Sequence, residues 1–176
     1  MDIKDILSLE ILRDLEVRLS KQFNVNASIL DVEGERIFKD ANWINKLCPA
    51  IKDTKGQTFI CAVAHLNLEN MVGTSKKAHI EECDAGLLKM LAPLLVNGEW
   101  VGLVSACGAL LDDGEIDPFL INKTSELPEE TIEALSQGIP RVSTDTVHAF
   151  IDAVNKELKE LTGGKIDPIE VAPLFF

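Results

Sequence analysis

Cys48, Cys61, Cys83 and Cys107 are the residues of this chain best suited to chemistry, and their spacing is C-x12-C-x21-C-x23-C. His65 follows Cys61 by four residues, and His79 precedes Cys83 by four. Residues four apart on a helix share a face, so Cys61 and His65 can point at one metal ion. Thiolates suit zinc or an iron–sulfur cluster, and a cofactor of either kind held by Cys48, Cys61, Cys83 and Cys107 is one expectation. The paired C-x2-C knuckles of structural zinc sites are missing. Cysteine is also among the most buried residue types as a plain small hydrophobe, which is the simpler account of Cys107 inside an apolar run.

Other reactive groups are sparse. No G-x-S-x-G, phosphate-binding glycine loop or H-E-x-x-H occurs, and tyrosine is absent, so no enzymatic activity is expected. His65, His79 and His148 are expected to be solvent-facing or satisfied helix residues. Trp43 and Trp100 offer flat apolar surfaces with one donor each. Trp100 is expected in the core, and Trp43, in an irregular segment, on a pocket wall. Gly86, Gly102 and Gly108 read as places where a ligand or a neighbouring backbone comes close. Asp112, Asp113 and Glu115 lack the ligand spacing of a calcium loop and read as solvated.

Composition bounds the partners. The 176 residues are 46% hydrophobic, enough for a proper core, and carry a formal charge of −12. Such a chain repels nucleic-acid phosphates and anionic headgroups, so neither nucleic acid nor membrane is expected as a partner. The acidic start, MDIKDILSLEILRDLEVRLSKQF, is unlike a secretory leader, and no run reaches the length of a membrane span. A cytoplasmic location follows as an expectation, with the cysteines reduced.

The elements that position these groups are legible in part. Ile3, Ile6, Leu7, Leu9, Ile11, Leu12, Leu15, Leu19 and Phe23 recur at helical steps, giving an N-terminal helix over 1–23. Its stripe either packs on the chain's own sheet or also pairs with a second copy; the second gives an expected homodimer, in which Leu12 and Leu19 changed together to Glu would give monomers with an intact core. NASILDVEGERIF reads as two strands about Glu33-Gly34. Residues 39–81 hold short helical segments around WINKLCPAIK and FICAVAHLNLENMV, separated by DTKGQ, and form the expected wall of any pocket.

The run ECDAGLLKMLAPLLVNGEWVGLVSACGALL carries a hairpin at Asn97-Gly98, whose type I′ turn needs positive φ at both residues. Its flanks are apolar enough to be covered on both faces. DDGEIDP, 112–118, breaks the hairpin with a loop. Pro128 opens a helix closed by Gly138 and Pro140, and Ser143 or Thr144 caps a last helix stopped at Gly163-Gly164. Residues 163–176 form a proline-interrupted tail expected to dock on the body. The fold class is α+β, one domain over 1–176: an antiparallel sheet of about five strands, flanked by N- and C-terminal helices in the manner of PAS and GAF sensors.

The order of LCPAIKD, a segment at Cys61, ECDAGL, APLLVNGEWVGLVSACG and SELPEETIEALSQGIPRVSTDTVHAFIDAV, from about residue 5 to residue 162, resembles the PocR-type sensory domain. The resemblance implies a PAS-like module that recognises a small organic molecule. The three cysteines Cys48, Cys61 and Cys83 match the family pattern, and the pocket is expected around them together with Trp43, Asp84 and Gly86, with no cofactor. The family often has histidine after the third cysteine, where this chain has Asp84. Output domains of the family bind DNA or act as kinases; with none in these 176 residues, signalling through the terminal helices is expected to run to a separate kinase or transcription regulator or to a further part of a longer gene product.

Overall fold

The computed structural model describes residues 1–173. A short 3-10 turn, Ile3–Asp5, precedes helix α1, Leu9–Phe23. The expected single helix over 1–23 is thus two pieces. Ser8 takes an extended conformation between them, and its hydroxyl accepts the Ile11 N–H at 3.3 Å, starting a new helix. Strand β1, Asn26–Leu30, follows. Then come α2, Leu47–Lys52; a π-helical turn, Gln57–Ala62; and α3, Val63–Ser75.

β2, His79–Glu82, leads to the hairpin of β3, Leu88–Val96, and β4, Glu99–Cys107. The order in the antiparallel sheet is β1-β4-β3-β2. A separate parallel pair joins β5, Leu110–Leu111, to β6, Arg141–Val142. Between these lie α4, Pro118–Ser125, and α5, Glu129–Leu135; α6, Thr144–Thr162, ends the helical part. The architecture is α+β, with four strands in the main sheet.

Asn97 and Gly98 have φ of 52° and 77°, as the hairpin turn demands. Their N–H groups both donate to the Asp167 carboxylate, at 3.2 and 2.7 Å, so the tail holds the turn. A Cβ at Gly98 would meet open space. Gly98→Val should therefore cost only backbone strain, about 1 to 3 kcal/mol, seen as a modest drop in melting temperature. A melt superimposed on the parent's would refute the turn.

Strand alternation sends one face of the sheet to the terminal helices and the other to α3. Ala27, Ile29, Val104, Ala106, Met90 and Ala92 join Leu12, Leu15 and Leu19 of α1 and Phe150, Ile151 and Val154 of α6 in one core. Phe23 and Phe150 meet edge to face at 5.4 Å. On the opposite face Leu30, Leu91 and Leu103 meet Leu68 and Val72 of α3, with Trp100 against them as expected. A third cluster joins α2, the π turn, α4 and α5 through Leu47, Ile51, Ile60, Ile121 and Ile132. Leu12 and Leu19, expected on a face shared with a second copy, are 0% and 2% exposed within this chain.

The second strand expected after Glu33-Gly34 is reduced to a single bridge, Leu30 to Arg36. Asp31 accepts the N–H groups of Glu33 and Glu35 and closes the turn. The outer edge of β1 is then satisfied mostly by side chains. Ser20 accepts from Ala27 N–H at 3.0 Å, Glu16 from Ile29 N–H at 2.7 Å, and Asn42 donates to the Ala27 carbonyl. A continuing strand would find few partners there. Burial holds the Glu16 carboxyl above the usual carboxylate range, opposed by its bond from Ile29.

The tail docks as expected at the start of β2. Ala78 N–H donates to the Glu170 carbonyl, Ala172 N–H donates to the Ala78 carbonyl, and Ile166 and Ile169 are buried. Residues 174–176 of that tail lie outside the described residues. Helix α4 is an addition to the expected elements. Pro118 is not the end of a loop but the first helical residue, behind Asp117, whose carboxylate accepts the Leu120 N–H.

Candidate functional site

The face of the sheet that α3 leaves partly uncovered is the floor of a cleft of about 520 Å³. Lys89 of β3, Ser105 of β4 and Leu30 of β1 form the floor. Their register explains the grouping, since Lys89 lies opposite Cys107, and Leu30 opposite Leu103, two residues from Ser105. Glu35, Arg36, Lys39, Ala41 and Trp43 come from the irregular segment, Lys52 from the end of α2, Gln57, Cys61 and Ala62 from the π turn, and His65 from α3. Single π turns inside helices recur at functional sites because the extra residue re-aims side chains. Here the turn brings Cys61 and His65, four apart in sequence, to one wall.

Below the cleft is a chamber of about 40 Å³ lined by all four cysteines, together with Leu87, Leu88 and Gly108. Arg36, Trp43, Lys52, Cys61 and Lys89 line both spaces, so the chamber opens from the cleft. Asn45 fixes its far side. Its amide donates to the Gly108 carbonyl at 2.7 Å and to Cys48 Sγ at 3.3 Å, while its oxygen accepts the Cys48 N–H at 2.7 Å. These bonds tie the start of α2 to the end of β4.

Cys48, Cys61 and Cys83 are held as neutral thiols. Burial pushes the Cys48 thiol up to about 12 and also raises Cys61 and Cys83. The sulfurs share a cavity without forming a ligand set. Among the described residues, no three His, Cys, Asp or Glu side chains are placed to hold one metal ion. The arrangement does not fit zinc or an iron–sulfur cluster, and it makes the chamber a soft apolar lining.

Charge at the mouth comes from Arg36, Lys39, Lys52 and Lys89. His65 feels it: burial first, then Lys89, Arg36 and Lys52, lower its pKa to about 4, with the Gly34 backbone opposing them weakly. Unfolded, the imidazole takes a proton near pH 6.5; folded, it refuses one until about pH 4. The stability it contributes is present above pH 6.5 and is lost as pH falls through about 4. On acidification across this range, the melting temperature of the ligand-free parent should drop more than that of His65→Gln. Equal drops would place the ring in ordinary solvent.

Of the residues expected at the site, Trp43, Cys48, Cys61 and Cys83 border the cleft or its chamber, and Cys107 joins them instead of standing apart as a core thiol. Asp84 is exposed in the turn closed by the Gly86 N–H on the Cys83 carbonyl, and neither Asp84 nor Gly86 is among the lining residues. Gly86 instead faces the backbone of Glu115. The four cations and Asn45 are additions to the expected set. Only Lys89 carried a signal: it is the sole charged residue in the strand LKMLAPLLV.

Among the described residues, no helix is long and apolar enough to cross a membrane. No curated protein and no solved structure gives a significant match to the chain. The family model described as the sensory domain found in PocR matches residues 5–162. With nearly its whole length covered by that match, the chain belongs to the PocR sensory-domain family.

Proposed function

We propose that this sensory domain binds a small organic molecule in the cleft between the sheet and the α2–α3 segment, and that occupancy is read at α1 and α6. The observation that supports this reading is the division of the sheet. The strands that floor the cleft through Leu30, Lys89 and Ser105 turn their alternate residues, Ile29, Met90 and Val104, onto the terminal helices. A ligand that presses on or tightens the floor acts on the packing of α1 and α6 through one layer of backbone. The size of the cleft and its few placed polar groups are those of a small-molecule site. A separate output protein would then sense the two helices, which meet through Arg18 and Glu157.

The test is a thermal-denaturation screen of small organic compounds on the parent and on Ala62→Trp. Ala62 is exposed on the cleft wall, so an indole there fills the space without entering the core. Compounds that raise the parent's melting temperature should lose that effect in Ala62→Trp, and should slow amide exchange in α1 and α6. A ligand at one hundred times its Kd adds about 2.7 kcal/mol, well within detection. Compounds that stabilise both proteins equally would move the site elsewhere.

A further inference from the structure

We propose that the occupant of the cleft is a small organic anion, its charged group held by Arg36, Lys52 and Lys89 and its apolar body laid against Trp43 and the thiol chamber. This rests on the reading of the cleft as a ligand site and adds the chemical class of the ligand.

The first support is the distribution of charge. The chain carries 17 Lys and Arg against 29 Asp and Glu, yet four of its cations converge on one concavity. Glu35 is the single acid on that lining. Among the described residues, ion pairs use Lys4, Arg13, Arg18 and Lys77, and none uses Arg36, Lys39, Lys52 or Lys89. Other acids stand close by. Glu69 lies against Gly34, and Glu81 is opposite Lys89 in the register, but neither forms a pair with these cations. Like charges gathered without counterions repel one another, and an arriving anion relieves that repulsion. Burial first, and then the field of Lys89, Arg36 and Lys52, lowers the pKa of His65 on the same wall.

The second support is the gradation from mouth to depth. Arg36, Lys52 and Lys89 stand where the cleft meets the chamber and line both, while the rest of the chamber's lining is Trp43, cysteine, leucine and glycine. Trp43, 39% exposed, stands between the two and offers its ring to either part of a ligand. A neutral polyol would leave the cations unanswered, and an inorganic ion would leave the chamber and the indole unused. An organic acid or phosphate ester with a short apolar body uses both.

A matched pair of probes tests this whatever the natural ligand is. 8-Anilinonaphthalene-1-sulfonate and N-phenyl-1-naphthylamine share one aromatic skeleton, with and without an anionic group. In a Trp100→Phe chain Trp43 is the only indole, and its protection from acrylamide quenching reports a probe seated against it at the cleft. The sulfonate should bind at least about tenfold tighter than its neutral counterpart, the equivalent of one charge-assisted contact. Its affinity should fall as sodium chloride is raised, a measurement that needs no cleft variant. Lys52→Gln and Lys89→Gln should each weaken the sulfonate about tenfold and leave the neutral probe unchanged, while Lys89→Arg retains binding. Equal affinities for the two probes, or sulfonate binding indifferent to salt and to both glutamine variants, would overturn the proposal and leave the cleft as a site for neutral ligands. If neither probe reached Trp43, the reading of the cleft as a ligand site would fall with it.

Discussion

Gly86→Ala is expected to destabilise the chain by about 2 to 6 kcal/mol, the sum of left-handed backbone strain and overpacking against an unyielding neighbour. Gly86 has φ +91°, and a Cβ there would stand 1.9 Å from the Glu115 carbonyl oxygen and 2.9 Å from its carbon. Both are backbone atoms, so no side-chain rotation relieves the clash. The turn that carries Cys83 or the loop before α4 must move, breaking the Asp117 N–H bond to the Ala85 carbonyl. Against a total stability of about 5 to 15 kcal/mol, this loss should lower the melting temperature by on the order of 10 °C. Gly98→Ala is the control, with positive φ but open space around it, and should lose far less. Similar melts for the two variants would mean that Gly86 is not packed on residues 115–116.

Leu12→Glu should abolish folding. Leu12 is fully buried between α6 and the sheet. Removing a leucine side chain from such a place costs about 2 to 5 kcal/mol, and an unpaired carboxylate in its stead adds several more. Nothing nearby compensates, because Arg13 is already engaged with Glu16 and Asp40. Leu19→Glu should behave alike. Leu9→Glu and Ile11→Glu, on the exposed side of α1, should stay within about 0.5 kcal/mol of the parent. Circular dichroism and size exclusion decide the matter. A folded, monomeric Leu12→Glu protein would show that the leucine stripe faces a second copy and not the core.

The fate of that stripe shows what a sequence reveals and what it withholds. Periodicity exposed the apolar face of α1, but not what covers it; Phe150, Ile151 and Val154 of α6 do so from more than a hundred residues away. Local signals served well where the backbone itself was constrained. Asn97-Gly98, the Ser143 cap and the Gly163 stop stand where their conformational preferences put them. The strand after Glu33-Gly34 failed because Ser20 and Glu16 of α1 had already taken the N–H groups it would have paired with.

The site was half legible for the same reason. Cysteine and tryptophan announce themselves by type, and their placement needed no register. Arg36, Lys39, Lys52 and Lys89 are ordinary surface residues in sequence. They become a group only when β3 pairs with β4 and the π turn closes one wall. Cys107 read as core because its run is apolar; the alternation of β4 gives it the same face as Ser105, and so the chamber.

Amide-resolved NMR of the 19.3 kDa chain, titrated with a compound that raises its melting temperature, tests the central claim most directly. The account predicts shifts at Arg36, Trp43, Cys61, Lys89 and Ser105, and at saturation a second set in α1 and α6, behind Ile29, Met90 and Val104. Shifts confined to exposed apolar residues away from the cleft, such as Leu9 and Phe119, or cleft shifts with α1 and α6 unmoved, would contradict it.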